Sequence, residues 1–378
     1  MDALTTPLPK NWEIKTFRDI STINQGLQIP ISQRLKAPTE HAKFYITIQA
    51  LNNRKEFEYI KTYNESVVCH KDDILMTRTG NTGMVITNIE GVFHNNFFKI
   101  NFDRTLINKD FLVYFLSLEQ TQKTILRKAG TSTIPDLNHN DFYSLSIPLP
   151  PLNEQIAIAN VLSDLDRYLC SLDALILKKE SVKKALSFEL LSQRKRLKGF
   201  NQAWQRVRLG DICEITTGSL DANEMVRYGK YRFYTCAKEY YFIDKYAFDT
   251  EAILISGNGA YVGYVHYYKG KFNAYQRTYV LDNFSEHIMF VKYFLTMFLQ
   301  SHIQTNRNEG NTPYIVMATL KDFEILLPPL NEQIAIANIL SALDHEIISL
   351  KNKKRQFENI KKALNHDLMS AKIRVLKK

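Results

Sequence analysis

Apolar residues recur at seven-residue steps in two long segments of the chain, one near its middle and one at its C-terminal end. Two neighbouring apolar tracks run along each segment. In the first segment, one track comprises Ile158, Leu165, Leu172 and Leu186. The other comprises Leu162, Leu169, Ile176 and Leu190. In the second segment, one track comprises Ile336, Leu343, Leu350, Phe357 and Leu364. The other comprises Leu340, Ile347 and Leu368. Heptads sustained over roughly 44 residues predict two coiled-coil helices, each about 65 Å long at about 1.5 Å per residue.

Lysines interrupt these apolar tracks. Lys179 stands in one track of the first segment, and Lys183 and Lys361 stand at the same place in the two segments. We expect Val182 and Ile360, one position earlier, to continue the apolar seam past these lysines. Each helix could instead pack on its own domain as an ordinary amphipathic helix. A helix of this length would extend beyond a domain of about 150 residues, so the pattern favours pairing of the two helices with each other.

The two helical segments belong to a longer duplication. The sequence LPPLNEQIAIANVLSDLD, Leu149–Asp166, returns as LPPLNEQIAIANILSALD, Leu327–Asp344, 178 positions later. Alternating apolar residues at the start of each copy predict a strand, which the Pro-Pro pair ends because proline lacks the amide donor. Asn153 and Asn331 follow as expected helix N-caps, and each has a glutamate beside it in the first turn, where the helix dipole favours negative charge.

The remaining residues predict two globular domains that begin alike. Five residues of the first domain have the same mutual spacing in the second: Trp12, Asp19, Ile20, Ile23 and Gly26 correspond to Trp204, Asp211, Ile212, Ile215 and Gly218. Strand-like runs predict a mixed sheet in each domain, at Lys43–Gln49, Ile74–Thr77, Phe97–Asn101, Ala252–Ser256 and Thr278–Leu281. We therefore predict an α+β protein. Its two mixed α/β domains, residues 1–148 and 200–326, are joined by repeat regions 149–199 and 327–378, whose long helices form an antiparallel coiled coil with pseudo-two-fold symmetry.

Composition indicates a basic cytoplasmic protein. The 49 Lys and Arg against 39 Asp and Glu give a formal net charge of +10, which favours a polyanionic partner such as nucleic acid without establishing one. The four cysteines lie far apart, so we expect neither a zinc site nor a disulfide framework. The sequence shows no secretory signal. Its longest apolar run, Ile288–Leu299, contains Lys292 and is too short to span a bilayer, so we expect a buried helix there and no membrane contact.

The segment PPLNEQIAIAN followed by a heptad helix occurs twice, each time after a variable domain, and resembles the specificity subunits of type I restriction-modification systems. The resemblance covers essentially the whole chain. It implies two target recognition domains, each reading one part of a bipartite, asymmetric sequence in double-stranded DNA, and a coiled coil that sets their spacing and docks two adenine methyltransferase subunits. Restriction and motor subunits would join that complex. The resemblance also implies a prokaryotic source, no cofactor on this chain, and S-adenosylmethionine and ATP on the partner subunits only.

The sequence lacks the motifs that catalysis would need, and we predict no catalytic residues and no metal site. The only proline pairs are in Leu-Pro-Pro-Leu, whereas an adenine methyltransferase needs Asn or Asp before two prolines and an aromatic residue. A phosphate-binding GxxxxGK[ST] motif does not occur, and SGNGAYVG at 256–263 has the wrong glycine spacing for a dinucleotide loop. Two alternatives stay open: a self-sufficient nuclease or methyltransferase, which would modify DNA without partners, and a coiled-coil scaffold, which would show no salt-sensitive DNA binding.

Loops rich in Arg, Asn, Gln and hydroxyl groups are the candidate DNA contacts, because these groups pair with base edges and phosphates. In the first domain the candidates are Thr77, Arg78, Thr79, Asn81, Thr82, His94, Asn95, Asn96, Thr131, Ser132 and Thr133. In the second they are Ser256, Asn258, Tyr261, Tyr275, Gln276, Arg277, Asn311, Thr312 and Tyr314. Their similar places in two divergent domains suggest one shared surface, with Arg78 and Arg277 as the preferred guanine contacts. Ordinary tight turns use the same residue types and remain an open explanation.

Basic clusters follow each long helix, at Arg194-Lys195-Arg196 and at Lys372, Arg374 and Lys377-Lys378. They could contact phosphates. We favour the alternative that they complement the negative end of a helix dipole.

Overall fold

The computed structural model describes residues 8–52, 57–306 and 313–376, without the side chains of residues 305 and 306. The chain divides into two compact units. Unit 1 combines Met1–Leu172 with Lys353–Lys378, and unit 2 is Asp173–Asn352. Each unit therefore contains one globular domain together with part of each long helix.

The globular part of unit 1, domain 1, is built on short strands. They are β1 (Glu13–Thr16), β2 (Ser21–Gln25), β3 (Lys43–Ile46), β4 (Tyr59–Ile60), β5 (Val68–Cys69), β6 (Ile74–Thr77), β7 (Val85–Ile86), β8 (Gly91–Phe93), β9 (Phe97–Phe102) and β10 (Ser146–Leu149). Its helices are α1 (Phe17–Ile20), α2 (Ile48–Asn52), α3 (Lys109–Leu116), α4 (Glu119–Ala129) and α5 (His139–Tyr143), and 3₁₀ turns lie at Ile31–Gln33 and Glu65–Val67.

Two four-stranded sheets form in domain 1, in the orders β2-β9-β6-β7 and β4-β3-β8-β5. The second sheet is mixed, because β3 pairs parallel to β8 and antiparallel to β4. All four residues of β6 are buried, as expected for an apolar run that is covered on both faces. Asn108 caps helix α3, because its side chain accepts the backbone N–H of Phe111. The helix packs Phe111 and Phe115 into the core.

Helix α6 (Leu152–Leu191) continues the chain from unit 1 into unit 2. The globular part of unit 2, domain 2, contains β11 (Gln205–Arg208), β12 (Glu214–Thr217), β13 (Tyr231–Tyr234), β14 (Tyr241–Ile243), β15 (Phe248–Ser256), β16 (Val265–Ala274), β17 (Thr278–Asp282) and β18 (Glu324–Leu327). Its helices are α7 (Ile288–Asn306) and α8 (Met317–Lys321), with 3₁₀ turns at Leu209–Asp211 and Ala222–Glu224, and the second long helix, α9 (Leu330–Met369), follows β18.

One six-stranded mixed sheet, in the order β12-β17-β15-β16-β13-β14, forms the body of domain 2. Its central strand β15 is buried from Ala252 to Ser256, and β17 is buried from Thr278 to Leu281. Helix α7 packs Phe290, Phe294 and neighbouring apolar residues into the same core, which confirms the prediction of a buried helix at this run. The mixed α/β composition of both domains is therefore as predicted.

A two-stranded ribbon closes each domain. Strand β1 pairs antiparallel with β10, and β11 pairs antiparallel with β18. The predicted strand at the start of each repeat copy thus brings the beginning of a domain beside its end. The helix begins two residues after each ribbon, with the Pro-Pro pair between them.

The predicted N-caps are wrong by two residues. Helices α6 and α9 begin at Leu152 and Leu330, so Asn153 and Asn331 lie inside the first turn. The backbone oxygens of Pro151 and Pro329 accept the first helical N–H groups instead. Proline can start a helix because its fixed φ suits the first turn and its missing N–H would have no helical partner.

The two long helices pack against each other, antiparallel, within each unit. In unit 1 the Tyr168 ring of α6 meets the Phe357 ring of α9, and in unit 2 Lys179 pairs with Glu346 and Glu180 with Lys351. None of the predicted seam residues is exposed, which confirms the two apolar stripes.

The predicted route of the seam past its lysines is wrong. Val182 and Ile360 are 46% and 49% exposed and do not fill the seam. Lys183 and Lys361 lie there themselves, and each forms an ion pair with an aspartate of the other helix, Asp344 and Asp166 respectively. A lysine can occupy an apolar stripe because its long methylene stem packs while its charge meets a partner.

Candidate nucleic-acid interface

Three loops of domain 1 meet in one place, and they carry all of its predicted contact residues. We call them loop A (residues 77–83), loop B (94–96) and loop C (131–137). The backbone N–H of Arg78 donates to the oxygen of Asn96 at 2.7 Å, and the N–H of Leu137 donates to the oxygen of Arg78 at 2.8 Å. Loop A is closed by the N–H of Gly83, which donates to the oxygen of Thr77 at 2.8 Å. Segments far apart in sequence are thus fixed together through backbone bonds.

Domain 2 repeats this arrangement. Its loops are A′ (256–263), B′ (275–277) and C′ (313–315). The N–H of Gly257 donates to the oxygen of Arg277, and the N–H of Ile315 donates to the oxygen of Gly257, both at 2.9 Å. The N–H of Gly263 donates to the oxygen of Ser256 at 2.8 Å and closes loop A′. The predicted correspondence between these loops is confirmed at the level of individual hydrogen bonds. We refer to each set of loops as a three-loop platform.

A glycine supports the second loop of each platform. Gly26 donates its N–H to the oxygen of Phe97 and Gly218 to that of Thr278, each at 3.2 Å. A Cβ on Gly26 would lie 2.2 Å from the oxygen of Phe93, and one on Gly218 would lie 1.9 Å from the oxygen of Ala274. Only glycine permits this backbone approach, which explains why the residue recurs at matching positions in two otherwise divergent domains.

Several predicted contact residues are exposed on the platforms. In domain 1 Asn81, Thr131, Ser132 and Thr133 are exposed, and in domain 2 Gln276, Arg277, Tyr261 and Tyr314 are exposed. Thr79, Asn258 and Tyr275 are half-buried. Direct base contact by all of these side chains stays a prediction. Asn311 and Thr312 lie outside the described residues.

Burial argues against direct contact by three of the predicted residues. Thr77 and Ser256 are fully buried, and Thr82 is nearly so. The Thr77 hydroxyl donates to the backbone oxygen of Asn81 and accepts the N–H of Met84, and the Thr82 hydroxyl donates to the oxygen of Pro135 at 2.6 Å. These hydroxyls hold loop A together, which is the ordinary use of threonine in turns.

Arg78 is engaged within its own domain. Its guanidinium pairs with Asp136 of loop C at 2.6 Å and lies over the ring of Phe98, and the side chain is only 18% exposed. Its Nε is buried without a hydrogen-bond partner among the described residues. Arg78 therefore joins loops A and C in the isolated chain. The ion pair would have to open before the guanidinium could pair with a base.

Loop B of domain 1 presents neutral groups. The Nδ1 of His94 accepts the N–H of Asn96 at 3.1 Å. Burial, together with the charge of Arg34, lowers the pKa of His94, so its ring is uncharged at neutral pH. The Asn95 backbone oxygen accepts from the amide of Gln25 at 3.2 Å, while its side-chain oxygen is buried without a partner among the described residues.

The pairing of cationic side chains with tyrosine rings in domain 2 was not predicted from the sequence, although Tyr261 itself was a predicted contact residue. Lys238 lies over the ring of Tyr261 at 5.1 Å, and Arg232 lies between the rings of Tyr240 and Tyr268 at 4.3 and 4.4 Å. Such pairs keep cationic groups fixed near the surface. The signal available in the sequence was the density of tyrosine between residues 228 and 279.

The lysines in the helical seam are the centres of two equivalent clusters. In unit 1 Asp166 accepts from Lys361 and from the hydroxyl of Tyr114, the latter at 2.7 Å. In unit 2 Asp344 accepts from Lys183 and from the hydroxyl of Tyr293, the latter at 2.6 Å. Burial tends to raise the pKa of Asp344, but its bonds to Lys183 and Tyr293 hold that pKa below its ordinary value. Each cluster ties the helix pair to a tyrosine of a globular-domain helix, Tyr114 of α3 or Tyr293 of α7.

A second pair of clusters lies at the helix starts. Glu154 accepts two bonds from Arg374, at 2.5 and 2.7 Å, and one from the Trp12 indole at 3.1 Å. Glu332 likewise accepts two bonds from Arg196, at 3.1 and 2.5 Å, and one from the Trp204 indole at 3.1 Å.

The favoured dipole role of the two basic clusters is therefore wrong for Arg196 and Arg374. Each of these arginines forms a buried ion pair with the first turn of the other long helix. Bidentate geometry explains why arginine stands at both places. Lys377 and Lys378 lie outside the described residues.

The titratable side chains of the described part of the chain do not gather into a metal site. That part contains no cluster of three or more His, Cys, Asp or Glu residues that could hold a metal ion. Cys69, Cys170, Cys213 and Cys236 are free thiols, and burial raises the pKa of Cys69 and Cys213 to about 12. Within the same residues, every helix is too short or too polar to cross a membrane.

Known proteins are similar to this chain in sequence and in fold. The family model described as the type I restriction modification DNA specificity domain matches residues 9–179 and again residues 201–359. The EcoDI specificity subunit of Escherichia coli is 39% identical over 160 residues, which span 42% of this chain and 35% of that relative. The MjaVIII specificity subunit of Methanocaldococcus jannaschii is 24% identical across 97% of this chain and 94% of its own length.

Solved structures agree on the fold. The type I restriction-modification S subunit from M. genitalium superimposes with a TM-score of 0.64 at 19% identity, covering 96% of this chain and 98% of that one. The HsdS subunit from Thermoanaerobacter tengcongensis gives a TM-score of 0.52 at 17% identity, covering 98% and 99%. The family model matches both halves of the sequence, at the domains and helices described above, and the chain belongs to the type I restriction-modification DNA specificity family.

Proposed function

We propose that this chain is the sequence-reading subunit of a type I restriction-modification complex, and that its domains recognise two different halves of a bipartite, asymmetric DNA target. The three-loop platform carries the proposal. It is built twice on the same backbone hydrogen bonds, with different side chains on each copy. A fixed backbone with variable side chains suits two readers of different sequences, because base edges are distinguished by the side chains that reach them.

Charge supports DNA as the partner. The chain carries a formal net charge of +10, and exposed amide, hydroxyl and guanidinium groups stand on the platforms. Phosphate contacts would fix the orientation of each domain on the duplex, while the platform side chains would supply the discrimination. Binding of this kind weakens steeply as salt rises, because bound phosphates release counterions.

We further propose that the long helices determine the number of unread base pairs between the half-targets. Helices α6 and α9 have 40 residues each, which corresponds to about 60 Å, and each contributes residues to both units. Within each unit the helices are tied to the globular domain by an aspartate-lysine-tyrosine cluster and a buried glutamate, which supports this role for them.

Modification and restriction would be functions of partner subunits in this proposal. The relatives are named as specificity subunits, which are the non-catalytic part of such systems, and we assign no reaction to this chain. Two adenine methyltransferase subunits, with S-adenosylmethionine, would dock on the helices, and ATP-dependent restriction subunits would join them in a prokaryotic cytoplasm. Exposed apolar residues along the helices, including Leu177, Val182, Ile348 and Ile360, support a docking role for this surface.

Methylation mapping tests the proposal directly. The chain is expressed with its cognate modification subunit in a host lacking other methyltransferases, and the methylated sequences are read genome-wide. We expect one bipartite motif. Replacing residues 1–148 by the corresponding domain of another specificity subunit should change one half of that motif and leave the other unchanged. Methylation without a defined motif, or a motif that is unaffected by the exchange, would contradict the proposal.

Binding of the purified complex to duplex DNA at increasing salt gives a second test, since a scaffold without a DNA role would show no salt-dependent binding. Methylation by the isolated chain would instead favour the enzyme alternative.

A further inference from the structure

The two platforms differ at the first residue of the loop that follows β6 in domain 1 and β15 in domain 2. In domain 1 this residue is Arg78, and in domain 2 it is Gly257. Both donate their N–H to the matching position of the second loop, Asn96 or Arg277, so they are equivalent in the backbone. One platform therefore has a long cationic side chain where the other has none.

In domain 1 the Arg78 side chain fills the space between loops A and C. Its guanidinium lies 5.7 Å from the centre of the Phe98 ring and pairs with Asp136. The equivalent residues of domain 2 are Tyr279, which follows Thr278 as Phe98 follows Phe97, and Tyr314, which bridges Asn258 as Asp136 bridges Thr79. Domain 2 therefore lacks both charges of this ion pair.

A cavity of about 280 Å³ lies at this place in domain 2. It is lined by Gly257, Gln276, Arg277, Tyr279 and Ile315. A single water occupies about 30 Å³ in the liquid, so this space is far larger than one water needs. The hydroxyl of Tyr279 donates to the oxygen of Ile315 at 2.9 Å and fixes one wall.

Gly257 is required for this geometry. A Cβ there would lie 2.3 Å from the backbone oxygen of Arg277 and 2.8 Å from the ring of Tyr279. The missing side chain lets loop B′ approach loop A′ and keeps the cavity open.

Arg277 is the cationic residue of this cavity. Its side chain is exposed, and no carboxylate of the described residues lies within ion-pair distance of it, in contrast to Arg78. An arginine fork can donate two parallel hydrogen bonds to paired acceptors, and Gln276 beside it can donate or accept through its amide. Paired acceptors on DNA occur on the guanine edge, at O6 and N7, and on phosphates.

We propose that the cavity beside Gly257 is a base-reading pocket of domain 2, in which Arg277 donates to the O6 and N7 acceptors of a guanine. The inference rests on the proposed function and assigns domain 2 a guanine contact made by a free arginine. In domain 1 the equivalent space is closed by Arg78 and Asp136. The two platforms thus read different bases because the position of the arginine differs between them.

Arg277→Gln tests the proposal in the complex with the modification subunit. The wild-type target is mapped first, and duplexes substituted at each position of that target are then compared as methylation substrates. At one position of the half-target read by domain 2, we expect the preference for guanine over the other bases to fall by about 10- to 100-fold. This is the range for a bidentate arginine-guanine pair. The other half-target should be unchanged. Arg206→Gln is the matched control, because Arg206 is an exposed arginine of β11 in the same domain, outside the platform.

The outcomes separate the inference from the function on which it rests. A defined target whose base preferences are the same in Arg277→Gln and wild type would overturn the pocket and leave the proposed function intact. A uniform loss of affinity at every sequence, with a salt slope reduced by about one, would identify a phosphate contact and also overturn base reading. A wild-type complex without any defined target would instead refute the proposed function.

The variant Gln276→Ala tests the pocket a second time without changing its charge. It should weaken discrimination at the same base pair or its neighbour while the folded chain keeps its thermal transition. A change confined to the other half-target would overturn the assignment.

Discussion

Removing the guanidinium of Arg374 should destabilise unit 1 selectively. Glu154 is 2% exposed at the start of α6, and Arg374 supplies two of its hydrogen bonds. In Arg374→Gln the carboxylate keeps its bond from Trp12 but loses the opposite charge. A buried carboxylate without a counterion is costly, because the protein interior solvates it poorly.

The structure sets the expected magnitude. Breaking a buried ion pair by removing one partner costs about 3–5 kcal/mol. The Arg374 side chain is 28% exposed, so water reaches that end of the pair and the lower value, about 3 kcal/mol, applies. With a urea m-value of about 2–3 kcal/mol/M, the midpoint for unit 1 should fall by about 1–1.5 M.

The two tryptophans of the chain allow each unit to be followed separately. Trp12 lies in unit 1 and donates to Glu154, whereas Trp204 lies in unit 2 and donates to the equivalent Glu332. In a Trp204→Phe background, fluorescence reports unit 1, and Arg374→Gln should shift that transition. In a Trp12→Phe background it reports unit 2, which Arg374→Gln should leave unchanged.

A midpoint shift below about 0.3 M would refute the reasoning, because losses under about 1 kcal/mol are typical of exposed pairs. The double variant Glu154→Gln, Arg374→Gln provides a further check. It should recover part of the lost stability, since no buried charge remains without a partner. Equal losses in the single and double variants would show that Arg374 contributes by packing alone.

Three further predictions follow from other contacts. Lys361→Met and Asp166→Asn should each destabilise unit 1, and a double-mutant cycle in urea should give a coupling of about 1 kcal/mol; simple additivity would contradict the seam cluster. Gly218→Ala should cost domain 2 about 1–3 kcal/mol in thermal unfolding, as should Gly26→Ala in domain 1, because each Cβ would overlap a backbone oxygen. Burial lowers the pKa of Lys292 below 10.5, so its charge disfavours folding at neutral pH. Lys292→Met should therefore stabilise unit 2 at pH 7, and this advantage should shrink as pH rises toward 10.5; an advantage that is independent of pH would contradict the assignment.

The parts of the fold that repeat along the chain were predictable from sequence. The heptad stripes identified both long helices, because the signal appears twice at constant spacing. The recurrence of Gly26 and Gly218 was also visible, but their support of the platforms became clear only from the structure. Gly26 and Gly218 lie where a Cβ would overlap a backbone oxygen. Only glycine fits such a position, so it occurs in both domains although the surrounding residues differ.

Contacts between distant segments were not predictable. The lysines of the seam looked like defects of the apolar pattern, because their partners Asp166 and Asp344 lie on the other helix, more than 150 positions away. Glu154 and Glu332 were interpreted only as first-turn acids favoured by the helix dipole, because their arginine partners are equally distant in sequence. A local pattern indicates which face is apolar, but it does not show which opposite charge the fold will bring to that face.

The convergence of the candidate loops was predictable from sequence, whereas the burial of individual side chains was not, and DNA contact by these loops stays a prediction. The loops that the sequence selected do converge in each domain, because turns between strands end at the same edge of a sheet. Which hydroxyls are buried within a turn depends on the loop's own hydrogen bonds, and residue type does not reveal that. The hydroxyls of Thr77 and Thr82 are buried in this way.

The discontinuous make-up of unit 1 has a consequence for biosynthesis. Unit 2 is a single stretch, Asp173–Asn352, and can complete its core once that stretch has left the ribosome. Unit 1 must wait for Lys353–Lys378, although its domain is translated first. Until Arg374 emerges, the nascent first domain carries an uncompensated Glu154 and an uncovered helix face, and chaperones would be expected to bind at this place.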